Sequence, residues 1–120
     1  MAVRAIRGAT ALQSDDADEM REAVVELLTE LLESNGLDPE SLVSVLFTAT
    51  PDITSGFPAT AARHAGLSDV PLMCAQELDV VGAPPLTIRV MVHANLDRPR
   101  TEIRHPYLRG TETLRSSLAP

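Results

Sequence analysis

The stretch "SDDADEMREAVVELLTELLESNG", residues 14–36, constrains this chain most. Met20, Val24, Leu27, Leu28, Leu31 and Leu32 recur at i, i+3, i+4 and i+7 spacing, the signature of a one-sided helix. Asp16 followed by Glu19 forms a capping box, and Gly36 is a suitable C-terminal stop. The spacing predicts an amphipathic helix of roughly five turns. Glu22, Glu26, Glu30 and Glu33 fall on its outer side as a solvated acidic face. Such a helix has one apolar stripe and needs a second layer to cover it.

The rest of the chain supplies that layer. "AVRAIRGAT", residues 2–10, reads as a first strand ending near Gly8. Asp38-Pro39 starts one short helical turn. "LVSVLFTAT", 42–50, is a continuous apolar run bounded by turn signals, consistent with a buried strand. "PDITSGFP" is a loop, and Pro58 fits the first position of a second helix over 58–65, stopped by Gly66. "VPLMCAQELDV", 70–80, is strand-like, "VGAPP" is a turn, and a further strand spans 86–95. "TEIRHPYL", 101–108, is a short extended piece with a proline bend, with room for a turn of helix after it. "RSSLAP" ends the chain, its residues from about 116 to 120 forming a flexible tail. The order β-α-β-α-β-β, without repeat or linker, implies a single α/β domain over 1–120, with a mixed β-sheet and helices on one face. The other face and the edges of that sheet would be left uncovered, and oligomerisation is one way to cover them.

Composition narrows the function. Net charge is −7, which argues against nucleic-acid binding and against an anionic membrane surface. Two Phe and one Tyr are the only aromatics, so the core must be aliphatic. All ten basic residues are arginine. Coding bias explains most of them, while some suit a bidentate grip on carboxylates. Cys74 is the single cysteine, so no intramolecular disulfide and no cysteine-based metal site can form. The N-terminus lacks a signal-peptide core and no apolar run approaches ~18 residues, so the expectation is a soluble cytoplasmic protein.

One strand carries an oddity. In "PLTIRVMV", 85–92, Ile88, Val90 and Val92 alternate on one face, while Thr87, Arg89 and Met91 occupy the other. A buried guanidinium without a partner costs several kcal/mol, so Arg89 must face solvent, pair with a carboxylate or await an anionic ligand. Arg7 shares its face with the small residues Ala5 and Ala9, leaving room beside it. Glu77 is the natural internal partner for such a cation, unless it simply points to solvent. Cys74 and Glu77 have opposite parity and reach one pocket only through a bend; Cys74 alone reads as a small core residue. His64, His93 and His105 show no metal-ligand spacing and are assigned surface or packing roles. No glycine-rich phosphate loop or G-x-S-x-G elbow occurs. Phe57, between glycine and proline, either enters a helix or walls a cleft. The inventory suits a reaction needing neither a nucleophile–base pair nor a metal.

"RGAT", "TATPDITSGFPATAAR", "VPLMCAQELDV", "IRVMVH" and "IRHPYLRG", in this order and spacing, resemble the monofunctional, AroH-type chorismate mutases from about residue 3 to about 115. The resemblance implies a homotrimer with a barrel-like centre, active sites at the subunit interfaces, no cofactor, and chorismate as substrate. It implies that Arg7 and Arg89 grip the substrate, that Glu77 and Cys74 meet the ring hydroxyl, and that Tyr107 contacts a carboxylate. Phe57, Ala59, Met73 and Leu114 would line the wall, with Thr60 beside them. Arg63 and Arg115 would guard the entrance. Thr60 stands where many relatives carry a lysine, and Met73 where threonine or valine is common. Two other readings compete: a trimeric imine or enamine hydrolase of similar fold, and a non-catalytic module that binds small anions.

Overall fold

The long helix forms as its spacing predicts. In the computed structural model, which describes residues 2–117, α1 spans Ala17–Ser34 and buries Met20, Ala23, Val24, Leu27, Leu28 and Leu31. The Asp16 carboxylate caps it, accepting the Glu19 N–H at 2.8 Å. The reciprocal half of the capping box reaches further upstream than expected. Glu19 accepts the N–H groups of Gln13 at 2.6 Å and Ser14 at 3.2 Å, which ties the end of the first strand to the helix start. At the other end, Gly36 adopts φ +63° and Leu37 N–H donates to Leu32 O at 2.9 Å, a glycine-terminated stop.

Four strands cover the stripe: β1 Val3–Ala11, β2 Leu42–Ala49, β3 Leu72–Gln76 and β4 Thr87–Asn95, in the order β1-β4-β2-β3. β4 pairs antiparallel with β1 and β2, and β3 runs parallel to β2, so the sheet is mixed as expected. Ile6, Val45, Phe47, Ile88, Val90 and Val92 turn to one side and pack with the α1 residues and with Ala61 and Ala62 of α2, Pro58–His64. Fully burying each leucine-sized side chain stabilises the fold by about 1.5–3 kcal/mol. The registers Arg7↔Met91, Ala9↔Arg89 and Thr48↔Arg89 place Arg7, Thr48, Arg89 and Met91 on the opposite side.

Two segments differ from expectation. The third strand, expected over 70–80, stops at Gln76. Its partner β2 ends at Ala49, and the last bond is Glu77 N–H to Ala49 O at 2.9 Å. Beyond it the chain has no ladder to join, and Leu78, Val80 and Val81 are exposed. After the 3-10 turn at Arg100–Glu102, residues 104–108 dock along the outer edge of β1 with a parallel bridge between Ala9 and Tyr107. A third helix, α3 Glu112–Ser117, follows. Its Leu114 packs on Tyr107 and Ala9, so not every helix lies on one face: the last one reaches Ala9 from the side that α1 and α2 leave open. α3 includes the first two residues of the expected tail, and residues 118–120 lie outside the described ones.

Candidate active site

The open face of the sheet carries a hollow of about 230 Å³. Its polar wall is Arg7, Thr48, Glu77, Arg89 and Tyr107, and Leu46 and Met91 form its apolar floor. Strand parity explains the assembly. Arg7 lies on β1, Arg89 on the adjacent β4 and Thr48 on β2 directly across from Arg89. Tyr107 enters from the strip bridged to Ala9 and is nearly buried, its ring held against Ala9 and Leu114.

The odd cation has a partner. Arg89 Nε lies 3.3 Å from Glu77 Oε2, and both side chains remain partly accessible. The pair is within ion-pair distance but is not aligned as a hydrogen bond, so the buried Nε–H lacks an acceptor among the described residues. Thr48 Oγ1 donates a short hydrogen bond to the same Glu77 oxygen. Glu77 therefore balances Arg89 without saturating it, and the guanidinium keeps donor capacity for an anion entering the hollow.

The remaining expected residues divide by position. Cys74 is on the helix side of β3, in register with the buried Phe47, and lines a separate hollow with Phe57, Pro58 and Gln76. It is not brought next to Glu77 within the protomer, since the strand parity that separates them holds without a bulge. Phe57 is 70% exposed at that second hollow. Ala59 is half-buried against the core, while Thr60 and Arg63 are exposed on α2. Met73 is exposed on the edge strand, and Leu114 backs Tyr107. Arg115 is exposed beside Arg104 and His105.

One residue of the hollow and one neighbour of Arg7 carried no site expectation in the sequence. Thr48 looked like one more residue of an apolar run; its alternation with Phe47 was the available signal. His105, expected in a surface or packing role, accepts the Arg7 backbone N–H through Nδ1 at 3.0 Å. Burial first, then the charges of Arg7 and Arg115, hold its pKa below 6.5. Among the described residues no group of three or more His, Cys, Asp or Glu side chains could hold a metal ion. None of the described helices is long and apolar enough to cross a membrane.

Comparison with known proteins gives one consistent answer. Residues 3–118 match the family described as chorismate mutase type I. The chain is 45% identical over 117 residues to chorismate mutase AroH of Thermus thermophilus, covering 97% of this chain and 96% of that one. It is 41% identical over 120 residues to chorismate mutase AroH of Bacillus subtilis, covering 99% and 94%. A solved chorismate mutase from Clostridium thermocellum superposes with a TM-score of 0.89 at 43% identity, over 92% of this chain and 98% of that one. A match that runs from β1 into α3 and spans every strand of the sheet means that the chain belongs to the type I chorismate mutases.

Proposed function

We propose that this chorismate mutase, an isomerase, turns chorismate into prephenate on the Arg7–Arg89 face, in a homotrimer whose neighbouring subunit completes each site. One observation carries the reading. The residues expected around the substrate fall into two separate hollows of one protomer. Arg7, Glu77, Arg89 and Tyr107 share the open-face hollow, whereas Phe57 and Cys74 share another. A head-to-tail neighbour would bring the second hollow over the first, and a heterologous contact of that kind gives a closed ring where its rotation is a third of a turn. Exposed Met73, Leu78, Val80 and Val81 near the β3 edge offer apolar surface for such a contact. Three sheets joined in this way would give a barrel-like centre.

The chemistry follows from the charges. The rearrangement is an intramolecular [3,3] shift in which the C–O bond breaks ahead of C–C formation. Negative charge grows on the ether oxygen. A fixed guanidinium aimed there binds the transition state more strongly than the ground state, which is the condition for raising the rate. One such donor is worth about 3–4 kcal/mol. Arg7 and Tyr107, with entrance arginines 63 and 115, would hold the two carboxylates and keep the side chain folded over the ring. Glu77 and Cys74 would meet the ring hydroxyl. An acceleration of about 10⁶ requires about 8 kcal/mol, within reach of restriction and electrostatics together. The reaction would serve phenylalanine and tyrosine synthesis in the cytoplasm.

The test is the decay of chorismate's ultraviolet absorbance with purified protein, alongside sedimentation. Prephenate formation by a trimer is expected. Chorismate binding without turnover would select the anion-binding module, and ammonia release from an amino-acid-derived enamine without chorismate turnover would select the hydrolase.

A further inference from the structure

The outer edge of β1 contains an irregular rung. Ala9 N–H donates to Pro106 O at 3.0 Å, and Leu108 N–H returns to Ala9 O at 2.8 Å. A parallel ladder continued by two residues would pair Arg7 N–H with the Arg104 carbonyl. That carbonyl is taken. Asn35, fully buried at the end of α1, donates its amide to Arg104 O at 2.9 Å and to Leu31 O at 2.9 Å, and accepts Arg104 N–H at 2.9 Å. The helix end thus clamps both backbone groups of Arg104, and Arg7 N–H turns to the His105 ring instead.

We propose that His105 is a positioning residue whose unprotonated Nδ1 anchors the Arg7 rung, and that protonating the ring releases this rung and weakens the substrate grip at acid pH. The inference rests on the reading of Arg7 as a substrate-binding residue. An imidazole nitrogen accepts only when it carries no proton, so the bond to Arg7 N–H exists in the neutral ring with hydrogen on Nε2. Protonation converts the acceptor to a donor facing another donor.

The surroundings set the direction. Arg7 faces the ring from β1 and Arg115 from α3, and Arg104 precedes it in the chain. Glu30 of α1 lines the same hollow, of about 430 Å³, and is the acidic group there among the described residues. Burial and the two arginine charges keep the ring neutral to below its ordinary pKa of 6.5. The anchored state is therefore complete above pH 6.5 and is lost as pH falls through the lowered value. Each strand alternation carries the effect to the site: Arg7's side chain projects from the same residue whose N–H is released, and Tyr107 lies two residues beyond His105.

Two variants separate this role from a merely structural one. His105→Asn keeps an acceptor close to the Nδ1 position and removes the titration; His105→Leu removes both. Across roughly pH 5 to 8, wild-type kcat/KM is expected to show an acid limb that His105→Asn flattens while remaining within about threefold of wild type at neutral pH. His105→Leu is expected to raise KM about tenfold at neutral pH with a smaller change in kcat, the loss of one hydrogen bond's worth of positioning. In parallel, the Arg7 amide proton should titrate with the His105 ring in the NMR spectrum of the wild type and stay fixed in His105→Asn. An acid limb identical in wild type and His105→Asn, or an Arg7 amide that ignores the ring's protonation, would overturn the proposal. The amide titration is read without substrate, so its outcome is distinct from failure of the mutase reading, which would show as no chorismate turnover at any pH.

Discussion

Glu77 and Arg89 meet across a strand that separates theirs. β2 lies between β3 and β4, yet Glu77 Oε2 comes within 3.3 Å of Arg89 Nε, and Thr48 of the intervening strand donates its hydroxyl to the same oxygen. Strand parity allows this. Ala75 is in register with Thr48, and Glu77, two residues on and still bonded through its N–H to Ala49 O at 2.9 Å, keeps to the same face. Glu77→Gln should keep a partner for Thr48 while removing the counter-charge. The expected result is a fall in kcat/KM of roughly tenfold to a hundredfold with stability changed by about 1 kcal/mol, since side chains 34% and 22% exposed are only partly desolvated. Urea unfolding and chorismate kinetics on the same preparation check both.

Gly8 is set by close approach rather than by its own backbone angle. A Cβ there would lie 2.7 Å from the Pro106 carbonyl oxygen and 3.1 Å from Leu27 Cδ1. The leucine can give way; the carbonyl is held by its bond from Ala9 N–H. Gly8→Ala should therefore displace the strip carrying His105 and Tyr107. We expect destabilisation of about 1–3 kcal/mol and a larger loss of activity than that alone implies. A thermal unfolding midpoint equal to that of the wild type, with activity retained, would show that this strip is not positioned through β1.

Asp15 holds the loop that presents Phe57. Its carboxylate accepts Thr54 N–H at 3.0 Å, Thr54 Oγ1–H at 2.7 Å and Ser55 N–H at 3.0 Å. These bonds, those from Thr54 first, lower its pKa from 3.8 to about 2. A lowered carboxyl pKa means that the clamp's contribution is complete above about pH 3.8 and is lost as pH falls through about 2. Asp15→Ala should speed hydrogen exchange at the Thr54 and Ser55 amides at neutral pH. Unchanged exchange there would show that the loop is held by something else.

The proposed completion of each site by a neighbouring subunit predicts complementation. Arg89→Met and Phe57→Ala chains should each assemble with low activity. Mixed after unfolding and refolded together, they should regain activity, because some interfaces then pair an intact Arg89 with an intact Phe57. A mixture no more active than the sum of its parts would place the whole site within one chain.

Much of this arrangement was legible in the sequence because it rests on short periods. The leucine spacing of 20–32 specified α1, and the two-residue alternation set Arg7 opposite Ile6 and Arg89 opposite Ile88, Val90 and Val92. Cys74 and Glu77 were separable by the same parity. What periodicity did not give shares a cause: each feature depends on a partner far along the chain. Leu78, Val80 and Val81 extend an apolar run, but β2 has already ended, so they form no strand. The role of His105 depends on Asn35 occupying the Arg104 carbonyl, a contact 69 residues away in sequence. The place of α3 depends on the bridge between Ala9 and Tyr107. The proposed homotrimer would involve surfaces that periodicity within one chain does not address.

In the proposed mechanism a planar cation at position 89, balanced but not saturated by Glu77, stabilises charge as the C–O bond breaks. Its most direct test is metal-free chorismate turnover by Arg89→Met and Arg89→Lys, with folding verified by thermal unfolding. Arg89→Met should lose at least about 10²–10³-fold in kcat, and Arg89→Lys should recover only a small part, since a point charge lacks the planar fork. Near-wild-type turnover by the well-folded Arg89→Met protein would show that the Arg89 guanidinium does not stabilise the breaking bond.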